Sequence, residues 1–355
     1  MNDMEVAIVG IGCLSCLGND IEDIWNMLNE PSAYQNIIYN AKYEFTSYLQ
    51  GSSKRKTSRQ ASICRYTLEK AIEDSTKYID TNSIDENTGT IYSSDYAALD
   101  ANLKFLRQVA ENDPEICSPS IFSNTVANSV LPTLCIPKQL KGVSTMLIES
   151  SSFVYARNLI LEKRAKRIFA GWVSEYNEEL FQDYQAMYGE QHFAEGAVSF
   201  LLQDMDEEKS KGSYCNVKNI CQINLGENPW GDDDSEEKTE SLIQHCIQTC
   251  LSKSGNIVPD VVISAGTHPK IEQMEAKVYS SILPDAFVID RIASLFGAVG
   301  ESSFEFGILV GSLCISHGMI PASFRKNESI SDIHSVLVQG YSKIGNYTTI
   351  LLSEL

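Results

Sequence analysis

Few residue types able to do chemistry stand at a suggestive spacing in this chain of 355 residues. Its ten cysteines fall at positions 13, 16, 64, 117, 135, 215, 221, 246, 250 and 314. One pair, Cys13-Leu-Ser-Cys16, has the C-x-x-C spacing of a redox couple or of half a zinc site. No second half-site accompanies it, and the pair falls where an apolar run turns. The cysteines therefore read as reduced thiols filling a core, with no metal expected. Lys54-Arg-Lys-Thr-Ser-Arg59 is a dense basic stretch, and Asp232-Asp-Asp-Ser-Glu-Glu-Lys238 is a charge run that reads as a solvated loop and helix start.

The charge balance narrows the partners. Lys and Arg number 28 against 47 Asp and Glu, so the formal net charge is 28 − 47 = −19. That field repels phosphate backbones and anionic membranes, and nucleic acid is not an expected partner. No apolar run approaches the roughly eighteen residues of a membrane span. With no signal-like start, a cytoplasmic protein is expected. Hydrophobic residues make up 43% and charged residues 21%, the composition of a chain with a sizeable core.

Elements able to position a site alternate along the chain. Glu5–Gly12 is an apolar run ending in glycines, which suits a buried strand feeding a tight turn. A helix is predicted over Ile21–Leu28, capped by Asn19 or Asp20, and another over Thr57–Asp74. Strands are predicted at Gly89–Ser93, Lys141–Ile148, Arg167–Ser174, Ala197–Leu202, Asn216–Leu225, Val261–Ala265 and Thr348–Leu352. Helices are predicted at Ser150–Ala165, Ser241–Ser252, Ile271–Ile282 and Phe304–Ser316, the last apolar almost all round and so buried. This alternation predicts an α/β fold with a largely parallel sheet. The polar stretch Asp204–Gly212 separates two such halves.

Several motifs, in order, resemble those of the β-ketoacyl synthases of the thiolase superfamily. Val6-Ala-Ile-Val-Gly-Ile-Gly12 with Leu17-Gly-Asn-Asp20 and Ile24-Trp25 is similar to the family's opening strand, turn and helix. Phe122-Ser-Asn-Thr-Val-Ala-Asn128 resembles its Phe-x-Asn-Thr-x-x-Asn helix. Leu140-Lys-Gly142, Ala170–Glu175, Glu195-Gly-Ala197, Ala265-Gly-Thr267 with Glu275-Ala276, Gly297-Ala-Val-Gly300 and Gly318-Met-Ile-Pro321 match later landmarks. The resemblance spans nearly the whole chain. It implies a five-layered αβαβα thiolase-like fold of two pseudo-symmetric halves, 1–205 and 206–355, dimerising edge to edge through sheet strands.

The same resemblance exposes what is missing. Condensation in the family uses a cysteine at a helix N-terminus, where its thiolate is favoured, and two histidines that stabilise developing charge. The cysteine position falls on Ser151, the histidine positions on Ala265 and Ser294, and an accompanying lysine on Ile289. His268 lies three residues past Ala265 and reads as a loop residue. His192, His245, His317 and His334 match no landmark, and Glu149 reads as a cap or polar contact. The family's Gly-Phe-Gly-Gly loop is replaced by Tyr341-Ser-Lys-Ile-Gly345.

Three functional readings follow from the resemblance. The first is a non-catalytic chain-length factor of a type II polyketide or aryl-polyene system, forming a heterodimer with an active ketosynthase. In such a pair Phe122, Thr125, Val126 and Ser129 are tunnel or interface residues, with ordinary packing as the plain alternative for each. The acyl carrier protein, itself acidic, docks on the partner, and Lys54–Arg59 is structural or a local carrier contact. The second reading is an acyltransferase or thioester hydrolase using Ser151. The third is a structural scaffold of a biosynthetic complex. None of the three calls for a cofactor.

Overall fold

The computed structural model describes residues 5–30, 57–111, 117–188, 194–205, 212–226, 236–266, 269–297, 302–325, 330–342 and 344–354. The strands are β1 (Val6–Leu14), β2 (Gly89–Ser94), β3 (Ser144–Ile148), β4 (Arg167–Ser174) and β5 (Gly196–Asp204) in the first half. The second half holds β6 (Cys215–Asn224), β7 (Val261–Ile263), β8 (Phe287–Ile289), β9 (Ser335–Tyr341) and β10 (Asn346–Ser353). Helices α1 (Ile21–Asn29), α2 (Arg59–Ser75), α3 (Leu99–Glu111), α4 (Pro119–Phe122), α5 (Val130–Lys138), α6 (Ser152–Leu161) and α7 (Glu178–Tyr188) belong to the first half. Helices α8 (Glu236–Ser252), α9 (Pro269–Ile282), α10 (Ile292–Phe296) and α11 (Ser302–His317) belong to the second.

The strand order β3-β2-β4-β5-β1-β6-β10-β9-β7-β8 carries an internal duplication. Outward from the centre, each half contributes its first, fifth, fourth, second and third strands. The directions repeat as well: β2 runs parallel to β3 and β4, as β7 does to β8 and β9. The pairs β1–β5, β4–β5, β6–β10 and β9–β10 are antiparallel. A short antiparallel register, Val6↔Val217 to Ile8↔Cys215, joins the halves. The sheet is thus mixed, which corrects the largely parallel expectation. Only four residues separate β9 from β10, too few for a crossover, so that pair must be antiparallel.

Three buried apolar clusters define the layers. One lies between the first-half sheet and α2 with α5, including Ala7, Val9, Leu68 and Leu134. A second, between the second-half sheet and α8 with α9, includes Ile243, Ile247, Val278 and Leu351. The largest lies between them and carries α6 and α11, with Phe153, Leu159, Phe306 and Leu309. Helix, sheet, helix, sheet, helix is the five-layered arrangement. Because β1 is covered on both faces it is buried throughout, which is why its sequence is continuously apolar.

Local signals set the helix starts. Asp20 caps α1 by accepting from the Asp23 amide, and Ser58 caps α2 by accepting from that of Ala61. The Phe122–Ser129 segment differs from the single helix expected. It leaves α4 after Phe122, bends, forms a 3₁₀ turn at Ala127–Ser129 and enters α5. Ser123 and Thr125 hydroxyls donate to the carbonyls of Ser120 and Phe122, and the Asn124 amide also donates to Ser120. Such side-chain bonds compete with the helical pattern.

The glycines of β1 let α2 lie directly on the strand. A Cβ at Gly12 would stand 2.0 Å from the Thr67 carbonyl oxygen and 2.5 Å from the Ala71 nitrogen. Both are helix backbone atoms and cannot turn aside. Gly12→Val is expected to cost about 1–3 kcal/mol or more through overpacking, read as a lower midpoint in urea denaturation. An unchanged midpoint means that β1 and α2 do not approach this closely.

Candidate functional site

The site forms where the first turns of α6 and α11 meet in the middle layer. Ser151 has extended backbone angles, and its hydroxyl accepts from the Val154 amide as the N-cap of α6. The same Oγ donates to Glu305 Oε1 at 3.0 Å. Glu305 lies in the first turn of α11 and is fully buried. Its second oxygen, Oε2, has no hydrogen-bond partner among the described residues. Burial pushes the Glu305 carboxyl up to about 8, with the Ser151 bond opposing and the charge of Asp95 adding to the rise. At neutral pH the group is mostly a neutral acid.

Glu305 is a residue of this site that the sequence reading did not single out. Its signal was present as a lone carboxylate in the apolar run Phe304–Ser316, but periodicity alone gave it no partner. Phe306, next along α11, stacks on Phe296 with ring centroids 4.4 Å apart and meets Trp172 edge-on at 5.9 Å. Trp172 donates through Nε1 to Asp95 at 3.5 Å.

The matched positions converge from the second half. Ala265, buried after β7, accepts at its carbonyl from Ser303 Oγ at 2.7 Å, two residues before Glu305. Gly266 packs against Ala293, beside Ser294. Ser294 is exposed on α10, and its hydroxyl donates to the Arg291 carbonyl. Ile289 is buried at the end of β8, its carbonyl accepting from the Ser264 amide. Glu275 fixes this corner by accepting from Ser264 Oγ at 2.5 Å, Tyr347 Oη at 2.6 Å and the Ala265 amide at 3.3 Å.

The described histidines lie elsewhere. His317 ends α11, roughly 18 Å along the helix from Glu305 at 1.5 Å per residue. It stacks on Trp25 at 4.0 Å, and burial lowers its pKa. His334 is exposed and bonds Glu354 at 2.5 Å; His245 is exposed on α8. His192 and His268 lie outside the described residues, as do Lys54–Lys56. Glu149 sits at the turn between β3 and α6 with a left-handed φ of 51°, its amide donating to the Ser94 carbonyl. Cys13 is buried with its thiol pushed well above its ordinary range, and Cys16 donates to the Leu295 carbonyl at 3.4 Å. Among the described residues no group of three or more His, Cys, Asp or Glu is placed to hold a metal.

The tunnel candidates occupy the outer margin. Phe122 and Val126 are 57% and 50% exposed, and Thr125 and Ser129 are half-buried. The 3₁₀ turn and α5 pack against β3, the end strand of the sheet. Ile148, at the end of β3, is 52% exposed.

No protein-family model and no curated protein matches the sequence. Solved structures do. A type II polyketide ketosynthase, in complex with its acyl-carrier protein and bound to a hexaketide, superposes with a TM-score of 0.79 at 12% identity over 100% of both chains. The ishigamide ketosynthase/chain length factor gives 0.77 at 14% identity, over 99% of this chain and 100% of the other. A β-ketoacyl synthase from Burkholderia phymatum STM815 gives 0.75 at 12% identity, over 99% and 100%. The chain therefore has the thiolase-like fold of the ketosynthases. Among the described residues, no helix is long and apolar enough to cross a membrane.

Glu305 predicts a pH dependence with a definite sign. Its carboxyl binds a proton more tightly in the folded chain than in the unfolded one, so stability falls as pH rises from about 4.5 to about 8. Glu305→Gln removes that slope. Chemical denaturation at pH 5 and pH 8 is expected to show the variant gaining on wild type at the higher pH. A difference that does not change with pH means Glu305 keeps an ordinary carboxyl.

Proposed function

We propose that this chain is a ketosynthase-like subunit that does not condense and acts as a chain-length factor. It pairs with an active ketosynthase and shapes the acyl tunnel at their shared interface, in type II polyketide or polyene biosynthesis. The observation that carries this reading is the apolar, unpaired margin of the first half. Val126, Ile136 and Ile148 are exposed on β3 or beside the segments packed against it, and Phe122 is exposed at the end of α4. Leu106 and Val109 are exposed on α3, which packs on α4. Exposed apolar side chains at one margin suit a protein partner.

Three further points support it. Ser151, Ala265 and Ser294 occupy the positions of the condensing cysteine and histidines, and none can act as a thiolate or an imidazole. Two of the fold neighbours are a ketosynthase/chain length factor and a ketosynthase bound to its acyl carrier protein. The net charge of −19 disfavours an acidic carrier on this chain, so the carrier docks on the partner. The halves 1–205 and 206–355 are taken as the duplicated units, and the pair works in the cytoplasm without a cofactor.

Co-expression with a ketosynthase that keeps its cysteine and both histidines tests the pairing. Co-elution is expected, and Val126→Lys with Ile148→Lys is expected to abolish it while each chain stays folded. Thr125→Trp or Ser129→Trp in the intact pair is expected to shorten the product. A product of unchanged length from a pair that still forms removes the tunnel role and leaves scaffolding.

A further inference from the structure

A second basic stretch, Lys163-Arg-Ala-Lys-Arg167, sets four of the chain's 28 lysines and arginines close together. In the fold it turns from the end of α6 into β4 and, with the Asp85–Thr88 turn before β2, lines a cavity of about 320 Å³. All four basic residues belong to that lining, against one carboxylate, that of Asp85. In a chain with a net charge of −19 this is a local reversal of sign. The cavity lies where β2 and β4 begin, beyond the far end of α6 from Ser151. The ten residues of α6 hold the two places roughly 15 Å apart at 1.5 Å per residue.

The open carbonyls of α6 do not account for the cluster. Basic side chains near a helix C-terminus can meet its last carbonyls. Here backbone amides already do so. Those of Glu162, Arg164 and Lys163 donate to the carbonyls of Asn158, Leu159 and Ile160, each at 2.9 Å. Ion pairing within the stretch is slight: Arg164 meets Glu162 at 3.6 Å with both more than half exposed. The cavity walls are tied together. Arg167, 5% exposed, donates through Nε to Gln203 Oε1 at 2.7 Å and through Nη1 to the Ser83 carbonyl at 2.9 Å. Both acceptors are neutral, and the guanidinium keeps its positive charge. The Lys166 carbonyl accepts from the Asp204 amide at 3.0 Å. On the opposite wall the Asn87 amide donates to Asp85 Oδ1 at 2.8 Å, which closes that turn. A backbone set in this way spares a ligand the cost of ordering it.

We propose that this cavity binds a small molecule carrying two linked phosphate groups. Arg164 offers a planar fork that matches phosphate oxygens, Arg167 a fixed buried charge, and Lys163 and Lys166 two ammoniums. Four cations suit a multivalent anion better than a single phosphate. The volume is at the small end of ligand sites, which run on the order of 300–1,000 Å³. The site belongs to this chain alone and does not depend on the pairing proposed above.

Isothermal titration calorimetry of the purified full chain, without divalent metal, uses pyrophosphate, inorganic phosphate, citrate and ADP as probes. Pyrophosphate is expected to bind saturably, about 10-fold or more tighter than inorganic phosphate, and to weaken as salt rises. Lys163→Gln with Arg164→Gln, both at exposed positions, is expected to weaken it about 10-fold or more while the melting curve stays that of wild type. Asp85→Asn removes the opposing carboxylate and is expected to tighten binding several-fold, a gain that misfolding cannot produce. ADP binding marks a diphosphate borne on a larger molecule, and pyrophosphate binding without ADP marks the free ion. Citrate binding as tight as that of pyrophosphate overturns the phosphate assignment. Affinity unchanged in the double variant, or no saturable binding by wild type, overturns the site.

Discussion

The hydrogen bond between Ser151 and Glu305 ties the two central helices together within the largest buried apolar cluster. Competing electrostatic effects meet on its carboxyl. Two helix N-termini point toward it, and a helix N-terminus favours an anion by about 0.3–1 kcal/mol, up to about 2 in partly buried settings. Burial acts the other way. A rise from 4.5 to about 8 corresponds to roughly 5 kcal/mol against the charged form. Desolvation wins, and at neutral pH the carboxyl is mostly uncharged. One oxygen of the acid is left without a partner among the described residues.

Other buried carboxylates in the fold are satisfied by different means. Glu195 receives the Arg59 guanidinium in a two-pronged ion pair and the Tyr176 amide. Glu175 accepts from the amides of Gln60 and Asp100, near the N-termini of α2 and α3. Glu275 gathers hydroxyls and an amide behind Ala265. All three stand in sequence landmarks, and all three hold elements together around the site. Each answers several donors at once. Replacing one would strand those donors without water, which is costly for each buried group.

What could be read from the sequence follows from the range of each cause. The apolar run of β1, the Asp20 cap and the buried character of α11 are local, and the sequence showed them. The Ser151 position was legible because its neighbours along the chain form a recognisable order. Glu305 was not, because its partner lies 154 residues away and the periodicity of α11 says only that the helix is buried. The bend through Phe122–Ser129 was hidden for a different reason. It depends on hydroxyl and amide side chains bonding to nearby carbonyls, a choice that the spacing of apolar residues does not record. The mixed sheet was missed because strand direction depends on where each connection returns, and β8 and β9 left no distinct pattern.

The two ends of the ten-stranded sheet are built unequally. At one end β8 has only three residues, and a short edge strand offers little to pair with. At the other, β3 runs for five residues, Ser144-Thr-Met-Leu-Ile148, with no charge, proline or bulge to discourage a neighbouring strand. Its inner neighbour β2 is wholly buried, while β3 itself is exposed or half-exposed along its length. The 3₁₀ turn that follows Val126 lies against this same strand. In the proposed pair, the contact that satisfies the open strand is also the contact that completes the tunnel wall. Chain length then becomes a property of the pair, which neither subunit specifies alone.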